Sequence, residues 1–351
     1  MPSPFLLYGA NGYTGALIAR MAAGRGLSPI LAGRDRAGIA RLATELELEH
    51  RAFALDDASA VEANLNDVSV VLHCAGPFSR TAQPMVDACL RTQTHYLDIT
   101  GEIAVFEFLA ARDAEARGAG VMLLPGVGFD VVPSDCLAAH LKRRLPSATK
   151  LTLGIQGLGR VSHGTATTMI ENLGRGGLVR RGGRLMPVPT AWKTRRIDFG
   201  RGAVGATTIP WGDVATAFYS TSIPNIEVYA ALPQAARWMM AVSRPLNSLL
   251  AAPVVQTFLK RRIKARPAGP SDEERARGAS FVWGEVEDDG GGKRVSRLSG
   301  PEGYTLTALT ALAIVERTLK GLTPAGFQTP SLAYGADLIL EIEGVTREDV
   351  S

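Results

Sequence analysis

Phe5-Leu6-Leu7-Tyr8-Gly9-Ala10-Asn11-Gly12-Tyr13-Thr14-Gly15 decides the fold. Four apolar residues run into three glycines spaced three apart. Helical spacing follows over residues 12–23, with Leu17, Ile18 and Met21 on one face. A short buried strand that turns through glycines into a helix opens a βαβ nucleotide-binding unit. Gly9 permits the tight turn, Gly12 lets the backbone approach a pyrophosphate, and Gly15 lets the helix pack closely on the strand. The helix start presents unpaired amides and the positive end of its dipole to phosphate. Gly9, Asn11, Gly12, Tyr13, Thr14 and Gly15 are therefore candidate cofactor residues, with the Thr14 hydroxyl a further donor.

Working outward, short apolar runs at 29–32, 51–55, 68–73, 95–98 and 121–124 alternate with helical spacing at 37–48, 82–91 and 104–117. Strands and helices alternating at these lengths imply right-handed βαβ units and a parallel sheet. Six strands with a Gly-rich first turn predict an α/β fold of Rossmann type, doubly wound in the order 3-2-1-4-5-6.

The second strand ends in Ala32-Gly33-Arg34-Asp35. An NAD site places Asp or Glu there for the ribose 2′-hydroxyl; Gly33 instead leaves room for a phosphate and Arg34 offers a bidentate donor. NADP(H) is therefore expected over NAD(H). Asp35 stands one step too far along for the ribose, and Asp56 after the third strand is placed to meet the adenine amino group or to serve as a plain loop residue. After the fourth strand, Ala75, Gly76, Pro77 and Phe78 form a turn of small residues beside the nicotinamide side of such a site.

Beyond Pro125 the texture changes to α+β. A helix is expected over 133–145, a strand over 151–156, a helix near 165–172 and short strands through 184–232. A hairpin is expected across Asp288-Asp289-Gly290-Gly291-Gly292, a mobile loop over 268–277, a long helix over 304–319 and an irregular tail after Thr323. The expected domains are 1–130 (NADP-binding), 131–302 (α+β substrate and dimerisation domain) and 303–351 (a helix and tail returning to the first domain).

With 351 residues and a 46% hydrophobic share, the chain can bury a full core. Its net charge of +4 is spread out rather than gathered in a basic stripe with interleaved aromatics, which argues against nucleic acid. Cys74, Cys89 and Cys136 have no zinc or redox spacing, so no metal is expected and a cytoplasmic setting is. The first residues lack a basic and then apolar leader pattern, and no stretch has the roughly 20 apolar residues of a spanning helix. The apolar segment Trp238–Phe258 is followed by Lys260, Arg261, Arg262, Lys264 and Arg266. It reads as a core or dimer helix, as a lid, or as a peripheral membrane contact over 238–266 on anionic lipid; the Arg244-Pro245 break argues against a span.

A reductase needs a hydride donor, a pocket and often a proton donor. No tyrosine is followed four residues later by lysine, which excludes the Tyr-x-x-x-Lys mechanism. Asp98, Thr100, Glu102, Asp130, Ser134 and Asp135 fall at or beyond the ends of strands five and six, where open parallel sheets bind ligands. Asp98 and Glu102 either orient substrate or hold the loop, Asp130 crosses to the second domain or touches substrate, and Ser134 and Asp135 read as helix caps. His163, in a Gly-rich loop, is a further candidate proton donor, whereas His73 reads as a core histidine. The candidate catalytic set is Asp98, Asp130 and His163.

Taken together, Gly9–Gly15, Ala32–Arg34, His73–Phe78, Tyr96–Glu102 and the run Pro125–Asp135 resemble the saccharopine dehydrogenase-like oxidoreductases. Ser162-His163-Gly164-Thr165 resembles that family's Ser-Gly-Gly-Thr element with His163 in place of a glycine; Gly303-Tyr304 and Gly326–Pro330 resemble its C-terminal signature. The resemblance lies closest to the branch of trans-acting enoyl reductases and the saccharopine dehydrogenase-like oxidoreductases of animals. It implies a Rossmann domain, a sheet-built second domain that often mediates homodimers, and a C-terminal helix returning to the Rossmann side. It does not imply saccharopine as substrate. The expected activity is NADPH-dependent reduction of an activated C=C or C=N bond in a hydrophobic small molecule. Two readings compete: an amino-acid dehydrogenase using Arg160, Arg175, Arg180 and Arg181 as carboxylate clamps, and a non-catalytic NADPH-bound sensor.

Overall fold

The structure is a computed structural model that describes residues 5–157, 160–172, 174–242, 252–265 and 267–350. Arg244-Pro245, Leu246, Leu249, Leu250 and Arg266 lie outside the described residues. The chain divides into two compact units: 1–130 with 304–333, and 131–303 with 334–351.

The first unit is built on six strands, β1 (Phe5–Tyr8), β2 (Ile30–Gly33), β3 (His50–Ala52), β4 (Val70–His73), β5 (His95–Asp98) and β6 (Met122–Leu124). They run parallel in the order 3-2-1-4-5-6, and Gly326–Phe327 adds a seventh parallel strand beside β6. The connecting helices are α1 (Tyr13–Gly24), α2 (Arg36–Leu46), α3 (Ala58–Ala63), α4 (Phe78–Thr92), α5 (Ile103–Ala110) and α6 (Asp113–Ala119). Every residue of β1, β2 and β4 is buried, as expected of central strands covered by helices on both faces. The single helix expected over 104–117 is two, broken at Arg112, whose guanidinium is held by Asp87 and Glu115. The helix Gly303–Leu319 lies in this unit from Tyr304 on, its Tyr304 ring edge-on to Tyr13 at 5.0 Å.

The second unit holds a nine-stranded mixed sheet. Its centre is Lys150–Gln156, parallel to Asn225–Ala231 on one side and antiparallel to Ala279–Glu287 on the other. The hairpin partner Lys293–Pro301 follows, paired to Ala279–Glu287 over nine positions. One face carries a cluster of Ile197, Phe199, Ala206, Tyr229 and Trp283. Three expectations change here. The segment 268–277 is not a loop throughout, because Ser271 and Glu274 form a reciprocal capping box that starts a helix over Asp272–Arg277. A helix, Asp213–Thr221, stands among the short strands of 184–232. The end of the chain does not return to the first unit: Thr346–Asp349 pairs with Lys293–Pro301, and Asp337 is held by Arg143 and Arg347.

His73 is a core histidine with no exposed surface, set among Tyr8, Phe78 and Tyr96, and neither ring nitrogen has a partner within the protein. Burial lowers its pKa from 6.5 to about 3. A histidine depressed in this way contributes stability that is complete above pH 6.5 and lost as the pH falls toward 3. His73→Phe removes that dependence. Urea unfolding of both proteins at pH 7.5 and 5 is expected to show the variant gaining about 2 kcal/mol on the parent at the lower pH; parallel losses would refute the assignment.

Candidate active site

The β1–α1 turn is shaped by backbone contacts. Gly9 has a φ of +83°, and a Cβ there would lie 2.8 Å from the Ala75 nitrogen, so only glycine fits between β1 and the turn after β4. The Gly9 and Ala10 N–H groups both donate to the Ala32 carbonyl, at 2.7 and 3.1 Å, tying the turn to β2. A Cβ on Gly15 would collide with the Gly9 carbonyl oxygen, which is the close helix–strand approach read from the sequence. Gly12 differs: it is exposed, and a Cβ there meets one atom within 4 Å, the Gly9 carbonyl oxygen at 3.2 Å. Among the described residues, the place of a Gly12 Cβ is otherwise open, a cradle against the backbone.

The charges around this cradle fit an anionic group. α1 has no side-chain cap and no acidic residue in its first turn. The neighbouring helix starts are each occupied by a carboxylate. Asp35 Oδ1 accepts from the Gly38 N–H at 3.1 Å, Asp57 Oδ1 from the Ala60 N–H at 3.1 Å, and Glu102 accepts from the Phe78 and Ser79 N–H groups at 2.8 and 3.0 Å. Only the start of α1, among these four, keeps its positive end for an outside phosphate.

At the end of β2, Asp35 is doubly engaged, since its Oδ2 also accepts from the Asn11 amide at 3.1 Å. Asn11 thus joins the glycine turn to the start of α2. Arg34 and Arg36 are exposed, and Arg34 has no ion pair among the described residues. Asp56 is exposed beside the cap Asp57. Tyr13 meets the Tyr304 ring edge-on, and Thr14 is half-buried in the first turn of α1. In the turn after β4, the Phe78 ring points inward onto His73 at 5.3 Å, leaving Ala75, Gly76 and Pro77 as its outward part.

The edge beyond β5 and β6 is rigid. Asp98 is fully buried; its Oδ1 accepts from the Thr100 and Gly126 N–H groups at 2.9 and 3.0 Å and its Oδ2 from the Tyr96 hydroxyl at 2.8 Å. Burial, only partly offset by those bonds, raises its pKa to about 6. Asp98 therefore straps two loops together, one of the two roles its position allowed. Glu102 holds the start of α4 and with it the Ala75–Pro77 turn. The returning helix clamps the loop after β6, where Thr307 accepts from the Phe129 N–H at 3.0 Å and Thr310 donates to the Val127 carbonyl at 2.8 Å. The sequence reading missed both threonines, because their partners lie about 180 positions away and no local pattern marks them. Asp130 emerges from this clamp half-buried, its carboxylate against Gly101, and burial raises its pKa to about 6.

Three candidates fall elsewhere. Ser134 and Asp135 are not caps but core residues of the second unit, where Ser134 donates to Asp213 at 2.9 Å and Asp135 accepts from Ser220. His163 opens the helix His163–Asn172 of the second unit, half-buried, its N–H donating to the Ala268 carbonyl at 2.9 Å. Among the described residues no group of three His, Cys, Asp or Glu is placed to hold a metal ion.

Residues 5–124 match the family described as saccharopine dehydrogenase NADP binding domain. A trans-acting enoyl reductase of Mycobacterium leprae is 35% identical over 150 residues, 40% of this chain and 35% of its own length. A saccharopine dehydrogenase-like oxidoreductase of Bos taurus is 25% identical over 169 residues, 41% of this chain and 38% of its own. The match thus spans little more than a third of these curated relatives. Over the whole chain the fold is that of the saccharopine dehydrogenase (L-Glu forming) of Saccharomyces cerevisiae, with a TM-score of 0.66 at 12% identity, covering 99% of this chain and 100% of that one. The first unit is an NADP-binding domain with a Gly12 cradle.

Gly12→Ala and Gly15→Ala separate cofactor binding from packing. Gly12→Ala is expected to weaken NADPH binding by roughly tenfold or more with little change in melting temperature. Gly15→Ala is expected to cost about 2 kcal/mol or more of stability through the forced helix shift. Calorimetric titration and thermal melts of both variants check the pair; equal effects on both readouts would refute the division.

Proposed function

We propose that this chain is an NADPH-dependent reductase of an activated double bond, an enoyl C=C or an imine C=N, in a hydrophobic, lipid-like small molecule. The observation that carries the cofactor choice is at the end of β2. Asp35 is spent as a helix cap and as the acceptor for Asn11, while Arg34 stands exposed after Gly33. A guanidinium there suits a 2′-phosphate, and no carboxylate is left for a ribose 2′-hydroxyl. The pyrophosphate is assigned to the start of α1 over Gly12, with Thr14 beside it. Asp56 is assigned to the adenine, and Ala75, Gly76 and Pro77 to the nicotinamide side.

Bound NADPH supplies a hydride. The balancing proton is assigned to Asp130, held against Gly101 with its pKa raised to about 6. Asp98 and Glu102 act as positioning residues, the first fixing the loops that carry Asp130 and the second fixing the Ala75–Pro77 turn. His163 is assigned no step. The enoyl reading is supported by the name of the mycobacterial relatives. Of the four arginines that an amino-acid dehydrogenase reading names, Arg175 is exposed and the other three are engaged within the protein. Arg160 pairs with Glu274, Arg181 with Glu227, and Arg180 is buried against the Val214 and Gly183 carbonyls. The reading includes a cytoplasmic setting, which three unpaired cysteines suit, and a homodimer.

Titrating the parent and Arg34→Ala with NADPH and NADH tests the cofactor. NADPH is expected to bind the parent more tightly, and the variant to lose roughly ten- to a hundredfold for NADPH and little for NADH. Equal affinity of the parent for both would end the Arg34 assignment. Loss of NADPH absorbance with enoyl thioesters and imines tests turnover. Asp130→Asn is expected to lower kcat by about a hundredfold or more with NADPH binding kept. A proton donor with a pKa of about 6 is lost as the pH rises, so kcat/KM in the parent is expected to fall above that value and the variant to lack that limb. Silence across the panel favours the sensor reading.

A further inference from the structure

We infer that the pair of helices Gln234–Val242 and Pro253–Lys264 is a docking surface for an anionic lipid bilayer. The sequence between Glu227 and Asp272 contains seven arginines and lysines and no aspartate or glutamate. Five large apolar side chains on these two helices are exposed. Trp238 is 66% exposed, Met239 63% and Val242 51% on the first helix, and Val254 81% and Phe258 56% on the second. Trp238 and Val242 are four residues apart, as are Val254 and Phe258, so each helix shows one apolar stripe. Scattered surface apolar residues are ordinary, but half of the exposed large hydrophobics named among the described residues fall within these two short helices.

The cations lie beside the stripes. Lys260 is taken by Glu171, whereas Arg261 and Arg262 are exposed, and the Arg262 guanidinium sits 5.4 Å from the Phe258 ring centre. An aromatic ring with an arginine over it is an amphipathic unit of the kind that sits at a bilayer surface, the ring in the acyl boundary and the cation among phosphates. A second basic feature adjoins the first helix: a cleft of about 350 Å³ lined by Thr194, Arg195, Arg196, Gly205 and Arg237. Arg195 there is paired with Glu285, and Arg196 and Arg237 are each bonded to a backbone carbonyl, so the cleft carries net positive charge. Tryptophan and methionine exposed on one helix and phenylalanine on the other, in an acid-free, arginine-bearing stretch, match a negatively charged membrane surface in both polarity and sign. No described helix is long and apolar enough to cross a bilayer, so the contact is peripheral.

The full chain, floated with phosphatidylcholine vesicles alone or containing about three-tenths phosphatidylglycerol, tests this. Binding is expected to the anionic vesicles, to be at least about tenfold weaker on the neutral ones, and to weaken as salt rises. Arg261→Glu with Arg262→Glu, and separately Trp238→Ser with Phe258→Ser, are each expected to reduce binding by about tenfold or more at unchanged circular dichroism. Equal binding to both vesicles, no binding to either, or full binding by the folded variants would overturn the inference. So would a solution dimer that dissolves in Trp238→Ser with Phe258→Ser, since it assigns the surface to a second copy. NADPH titration of the same preparations reads the reductase proposal independently, because both variant pairs belong to the second unit.

Discussion

The first unit depends on one steric constraint: three stretches of backbone meet at the end of β1 with no room for a side chain between them. Gly9 faces the Ala75 nitrogen and Gly15 faces the Gly9 carbonyl oxygen. Two N–H groups of the same turn bond to the end of β2. The turn therefore fixes the strand end that carries Arg34 and abuts the turn that carries Ala75 to Pro77. A site for a long, two-headed cofactor needs both ends at a set separation. Here that separation is set by main-chain contacts, which no rotamer change can alter.

Around that turn the carboxylates divide the work. Asp35, Asp57 and Glu102 each neutralise a helix start, and Asp98 is consumed by two backbone N–H groups and a tyrosine hydroxyl. A carboxylate bonded in this way is fixed in place and has little acceptor capacity left for a ligand. The start of α1 is left uncapped and the guanidinium of Arg34 exposed, and burial raises the pKa of the Asp130 carboxylate. The proposed anion selectivity rests on the two groups the fold leaves uncapped and exposed.

The parallel sheet was legible because each of its signals is local. Apolar runs such as Phe5–Tyr8 and Val70–His73 are buried on both faces, and glycines at a strand end have few other uses. Asp35 shows where local reading stops. Its offset excluded it from the ribose, but its tie to Asn11 spans 24 positions and leaves no periodic trace. Thr307 and Thr310 look like ordinary helix residues until they meet Phe129 and Val127. Ser134 and Asp135 misled for the opposite reason. Following a proline they have the local form of caps, yet their partners Asp213 and Ser220 come from a distant helix that buries them. The capping box at Ser271 was present in the sequence and was outweighed by the high charge of 268–277.

Around Glu227 and Glu285 the second unit satisfies its charges internally. Glu227 is held by Arg181, Lys193 and the Tyr229 hydroxyl, and Glu285 by Arg195 and Lys293. Breaking a pair of this kind would strand a buried carboxylate, so each arginine is committed by the cost of releasing it. Charged substrates need charges that are free to rearrange around them. Arginines committed to these buried carboxylates are not available to a charged substrate. This commitment supports the proposal of a substrate recognised by its hydrocarbon part.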